Sequence, residues 1–174
     1  MAFRSRLQPR LAKLMLMPTV LSACGQGARL AMVDRATRLK HPDVPAVDPD
    51  AAKALIEQGA VWVDVRTPEE RSVSRIPGAI DGEAVIADPD AYTDTILVAY
   101  CTVGVRSAAW AAARRQEGLD VRNLSGSVMA WAEAGGAFVT PSGTPTTEVH
   151  TWSTSFDWLP EGYEGVVVPA VPGT

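Results

Sequence analysis

Between residues 46 and 138 short, continuous apolar runs alternate with segments of helical character. Residues 60–65 (AVWVDV) are an apolar run broken by one acid, and residues 95–100 (TILVAY) are another; both have the length and branched content of buried parallel strands. Residues 120–124 supply a further strand, and residues 79–87 include a short one. Helices fall between them. Residues 51–58 (AAKALIEQ) stop at Gly59, residues 106–117 (RSAAWAAARRQE) at Gly118, and residues 127–134 (SVMAWAEA) at Gly135 and Gly136. Residues 67–72 begin with Pro68 one position in and carry acids in the first turn, which suits a short helix. The alternation predicts an α/β fold, a single domain with a mainly parallel five-stranded sheet flanked by helices.

The flanks read differently. Residues 41–50 (HPDVPAVDPD) form a linker rich in Pro and Asp whose last residues can cap the helix that follows, and residues 140–147 are a polar turn. Residues 149–163 hold Trp152, Phe156, Trp158 and Tyr163, too apolar a cluster for a free tail. Such a segment packs back over the domain or else offers a docking surface to a protein partner. Trp110 and Trp131 fall on the sheet-facing sides of their helices as core. The expected organisation is a leader over residues 1–23, a linker over 24–45, the α/β domain over 46–138 and an aromatic-rich extension over 139–174.

Charge divides the chain unevenly. Residues 1–40 hold eight of the sixteen Lys and Arg against the single acid Asp34, so the remainder carries eight bases against nineteen acids. An acidic body of this kind is a poor match for nucleic acid. The start combines Arg4, Arg6, Arg10 and Lys13 with an apolar run over residues 14–23, too short to span a bilayer and laid out as a secretory signal. Leu21, Ser22, Ala23 and Cys24 resemble the lipobox of bacterial lipoproteins. That resemblance implies cleavage before Cys24, lipidation of Cys24, and an exported, periplasmic or membrane-anchored protein; the alternative is an N-terminal extension on a cytoplasmic protein.

Only two cysteines are present, Cys24 and Cys101, and with His41 and His150 as the only histidines they form neither a disulfide framework nor a zinc pattern. No structural metal site is expected. Cys101 ends the apolar run of residues 95–100 and is followed by a loop into a helix, the place where open α/β sheets bind ligands. Gly104 permits backbone that turns successive amides inward, and Arg106 and Ser107 open the helix. Positive surroundings of that kind hold a cysteine as thiolate, a nucleophile beside an anion site.

CTVGVRS (residues 101–107) resembles the active-site loop CxxGxRS of the rhodanese family of thiol sulfurtransferases. VWVDVRTPEE (61–70) is similar to the family's DxRxxxE segment, RIPGAI (75–80) to its HIPGAI turn, and NLSGSVMAWAEAGG (123–136) to its closing L-x-GG-xxxW-xxxG. Ser74 and Arg75 replace a Gly-His pair, and Ser125 with Gly126 stands where paired glycines are usual. The resemblance implies that Cys101 carries a sulfane sulfur as a persulfide. Thr102, Val103, Gly104, Val105, Arg106 and Ser107 bind a small anionic donor such as thiosulfate or a polysulfide, and a thiol or cyanide accepts the sulfur. Asp64 and Arg66 are expected as a supporting ion pair that orders the loop, with direct substrate contact as the alternative, while Arg71 and Arg75 are read as solvated surface groups rather than groups that draw in anions. The implied chemistry needs no cofactor or metal. Two alternatives stand beside the enzyme: a non-enzymatic binding or sulfur-carrier module, and a cysteine-based phosphatase or arsenate reductase. The latter loops place five residues between Cys and Arg, whereas four separate Cys101 from Arg106.

Overall fold

A computed structural model describes residues 17–169. Its centre is a five-stranded sheet in the order β1-β5-β4-β2-β3, formed by β1 (Ala46–Val47), β2 (Val61–Asp64), β3 (Ile80–Asp81), β4 (Leu97–Tyr100) and β5 (Val121–Leu124). Every pairing in it is parallel. The apolar runs become strands because both faces of the sheet are covered. Alternation sends Trp62, Val98 and Tyr100 into one core with Leu124, Trp131 and Phe138, and Val63, Leu97 and Ala99 into the other with Val85 and Val121.

The expected helices form with their ends set by local chemistry. Asp48 caps α2 (Pro49–Glu57), its carboxylate accepting the Ala51 amide at 2.8 Å. Thr67 and Glu70 make a reciprocal capping box at the start of α3 (Pro68–Val73). The expected strand within residues 79–87 is only β3; the chain then turns into α4 (Gly82–Ala87). α5 (Val105–Gln116) and α6 (Ser127–Glu133) complete the cover.

Two stretches read as linker are structured. The helix α1 (Met17–Lys40) seats Leu30 in the core, and Arg38 donates to the Ser125 hydroxyl at 2.8 Å. The stretch over residues 41–50 holds the edge strand β1, whose two residues, Ala46 and Val47, are too few to show a pattern. Among the described residues no helix is long and apolar enough to cross a membrane. Residues 1–16 of the expected leader, and the side chain of Cys24, lie outside what is described.

The C-terminal extension packs back on the domain. β6 (Phe138–Val139) pairs antiparallel with β7 (Pro145–Thr146) around the polar turn, and β8 (Glu148–His150) pairs parallel with β9 (Glu164–Val166). Tyr163 meets Phe138 edge to face at 5.8 Å between centroids and donates to the Gly136 carbonyl at 2.9 Å. Arg71 and Arg75 depart from expectation as well. Arg71 is buried, forking onto Glu83 at 2.9 and 3.2 Å and donating to the Arg66 carbonyl, and Arg75 pairs with Asp81 at 3.0 Å.

Candidate active site

β4 delivers Cys101 to the carboxyl edge of the sheet, and α5 begins four residues later. Gly104 stands at the N-cap of α5 with φ of 97°, a left-handed conformation that a Cβ would strain. That turn aims the Gly104 amide back at Cys101 Sγ, 3.2 Å away, and Ser107 in the first turn of α5 places its hydroxyl 3.5 Å from the same sulfur. The cysteine is 1% exposed. Burial alone pushes its thiol pKa up, but the Ser107 hydroxyl and amide, the Arg106 charge and the Gly104 amide outweigh burial and bring it below the ordinary cysteine value.

The Ser107 hydroxyl has one proton and three acceptors within reach, Asn123 Oδ1, Cys101 Sγ and, at 3.4 Å, Ser127 Oγ. Asn123 Oδ1 lies at 2.6 Å against 3.5 Å for the sulfur, so the carbonyl takes the stronger bond and the loop amides are the steadier support of a thiolate. Asn123 also donates from Nδ2 to the Gly104 carbonyl at 3.2 Å, which fastens β5 to the loop.

The start of α6 holds the other side. Gly126 and Ser127 both adopt left-handed backbone, with φ of 64° and 50°. The paired-glycine position is therefore 126 and 127, and the departing residue is Ser127 rather than Ser125. Its hydroxyl accepts the Cys101 amide at 3.0 Å and donates to the Leu124 carbonyl at 3.2 Å. The Val128 and Met129 amides donate to the carbonyls of Cys101 and Thr102 at 3.3 and 3.4 Å.

Glu70 is the supporting residue that sequence reasoning passed over. Besides capping α3 it receives Arg106 on both carboxylate oxygens, at 2.6 and 2.7 Å, and the Thr102 hydroxyl at 3.0 Å. Burial raises its pKa, but Arg106, the Thr67 amide and Thr102 outweigh that and lower it from 4.5 to about 2. Its signal in the sequence is the last position of the DxRxxxE segment. Arg106, expected as an open charge over the anion, is thus compensated. The Trp152 ring covers its guanidinium at 4.6 Å.

Asp64 and Arg66 form the expected pair, fully buried, with bonds of 2.9 and 2.7 Å. They reach the loop through Tyr100, whose hydroxyl donates to Asp64 at 2.7 Å and accepts the Ile76 amide at 3.1 Å. His150, given no role from sequence, is buried 3.9 Å from Glu70 and accepts the Trp152 amide on Nδ1 at 3.1 Å. Thr102, Val103 and Val105 line a cavity of about 330 Å³ that has Cys101 in its wall. Among the described residues no group of His, Cys, Asp or Glu is arranged to hold a metal ion.

The family model described as Rhodanese-like domain matches residues 48–134. Among solved structures, the chain is 20% identical to the thiosulfate sulfurtransferase of Pseudomonas aeruginosa, with a TM-score of 0.50 over 68% of this chain and 22% of that one. It is 20% identical to the polysulfide-sulfur transferase homodimer of Wolinella succinogenes, with a TM-score of 0.51 over 64% and 90% of the two chains. Against Bacillus anthracis CoADR-RHD the values are 22%, 0.49, 56% and 18%. At these identities the likeness to the Pseudomonas and Wolinella structures is one of fold, and the chain spans less than a quarter of the Pseudomonas and Bacillus chains. No curated protein matches it.

Proposed function

The chain belongs to the rhodanese-like domain family, and from that premise we propose that it is a sulfurtransferase working through a persulfide on Cys101. The observation that carries the reading is the environment of one sulfur atom. Cys101 Sγ ends a parallel strand, receives the Gly104 amide at 3.2 Å and borders a cavity, and its pKa is lowered although it is buried.

The thiolate attacks the outer sulfur of thiosulfate or of a polysulfide. A bond forms between Sγ and that sulfur, the donor's S–S bond breaks, and its electron pair leaves with sulfite or the shortened polysulfide. Loop amides and Arg106 stabilise negative charge as it moves. An acceptor thiolate or cyanide then attacks the outer sulfur of the persulfide and returns Cys101 to the thiolate.

Intact mass of the full chain after incubation with thiosulfate or polysulfide tests this, beside Cys101→Ser and Cys24→Ser. The expected result is a gain of one sulfur that survives in Cys24→Ser, is lost in Cys101→Ser, and is removed by cyanide as thiocyanate. No gain from either donor would leave a binding role in its place.

The second part of the proposal concerns location. Residues 21–24 (LSAC) follow a basic start and a short apolar run, which supports export and lipidation at Cys24. Labelling with a radioactive fatty acid in a bacterial host, with Cys24→Ala as control, tests it; an unlabelled product in the soluble fraction refutes it.

A further inference from the structure

Three walls of the Cys101 cavity come from outside the residues that match the family. Val33 stands on α1, while Trp152 and Phe156 belong to the C-terminal extension; all three fall beyond residues 48–134. With Val103 and Val105 of the loop they surround the sulfur with apolar surface. At about 330 Å³ the space has the size and lining of a site for a small organic ligand, ample for a ring or a short alkyl group.

Trp152 is held in place deliberately. It has φ of 67°, a left-handed backbone that a large side chain rarely adopts, and its amide is fixed on His150 Nδ1 at 3.1 Å. The residue is 52% exposed, its ring lies over Arg106, and it borders the cavity. Among the described residues the one cation lining the cavity is already engaged, since both terminal nitrogens of Arg106 are on Glu70 at 2.6 and 2.7 Å, one of them also on Thr102 at 3.0 Å. A compact dianion entering here sheds water against valines, an indole and a phenyl ring, and meets a guanidinium whose charge Glu70 balances. A donor with an organic body and a single charge loses less hydration and buries apolar surface.

Resting on the sulfurtransferase reading, we propose that this cavity selects sulfane donors that carry the terminal sulfur on an apolar organic group, over thiosulfate, and that Val33, Trp152 and Phe156 determine that preference. With an organic thiosulfonate the step is balanced. The Cys101 thiolate bonds to the terminal sulfur, the S–S bond to the sulfonyl sulfur breaks, and the organic sulfinate leaves with the electron pair, its body resting on Trp152 and Phe156.

The test measures kcat/KM of the full chain with benzenethiosulfonate, methanethiosulfonate and thiosulfate, cyanide being the acceptor. Each value is divided by the rate of the same donor with free cysteine, which removes intrinsic reactivity. The two thiosulfonates have the same charge and differ in apolar body, so the expected preference for the phenyl donor is at least about fivefold, in the range that apolar pockets achieve. It is expected to fall by half or more in Trp152→Ala, through KM rather than kcat; Phe156→Ala and Val33→Ser provide the same reading from the other walls. A smaller preference in the parent, thiosulfate equalling the phenyl donor, or the same preference in all three variants overturns the inference while leaving sulfur transfer intact. If intact mass shows no sulfur on Cys101 from any donor, the sulfurtransferase reading itself fails and this inference falls with it.

Discussion

Glu70 and Arg106 join α3 to α5 through a two-pronged ion pair, with both guanidinium nitrogens on the carboxylate at 2.6 and 2.7 Å and the Glu70 side chain 1% exposed. One residue therefore caps its own helix and anchors the far end of the cysteine loop. A carboxylate so placed cannot be neutralised or removed without loosening both.

Glu70 has a folded pKa of about 2, below its ordinary 4.5, so its contribution to stability is present above pH 4.5 and is lost as pH falls through about 2. The linked amount is on the order of 3 kcal/mol. Glu70→Gln is expected to lower stability at neutral pH by a similar amount and to flatten the acid limb of the curve. Urea unfolding between pH 6 and pH 2.5 checks this; an equally steep acid limb in the variant would assign it to other carboxylates.

Ser127 sets strain against a hydrogen bond. Left-handed backbone at a non-glycine residue costs about 1–3 kcal/mol, and a buried amide left without its acceptor costs about the same. Ser127→Ala keeps the strain and loses the acceptor of the Cys101 amide, so it is expected to be the less stable variant, while Ser127→Gly loses the bond but also the strain and stays close to the parent. Urea midpoints give the order, and Ala at or above Gly would contradict it.

The Cys101 thiol is expected to alkylate with iodoacetamide along a pH profile whose midpoint lies below that of free cysteine. Ser107→Ala removes a hydroxyl that points mainly at Asn123 and only weakly at the sulfur, so it is expected to shift the midpoint upward by a small amount. A midpoint unmoved by the substitution would give the lowering to the loop amides and Arg106 alone.

Gly136 lies so close to the Trp131 indole that a Cβ there would overlap the ring, which is held by its bond to the Ala137 carbonyl at 3.0 Å. Gly136→Ala is expected to destabilise by about 1–3 kcal/mol through displaced core packing. A thermal midpoint equal to the parent's would mean that the indole turns aside freely.

The central strands β2, β4 and β5, the helices α2, α3, α5 and α6, and the cysteine loop are legible in the sequence, whereas α1, α4 and the edge strand β1 are not. Continuous apolar runs such as residues 95–100 form strands only when covered on both faces, and Gly59, Gly118 and Gly135 close helices through their own backbone freedom. Cys101, Gly104, Arg106 and Ser107 were legible because one short loop holds them, so local spacing fixes their relation. Local chemistry also announced a cap from the end of residues 41–50, which the structure assigns to Asp48, and the Asp64 and Arg66 pair.

Tertiary structure decided whatever depends on distant segments meeting. Glu70 lies 36 residues from Arg106, and Asn123 lies 16 from Ser107; no periodicity links such partners. That Ser127 keeps left-handed backbone although it is not glycine is visible only in the folded chain. The docking of α1, read as linker, and the closure of the Cys101 cavity by Val33, Trp152 and Phe156 follow from apolar groups finding one another across the whole chain. Burial is a property of the assembled surface, and a one-dimensional pattern states which residues seek it without stating against what they find it.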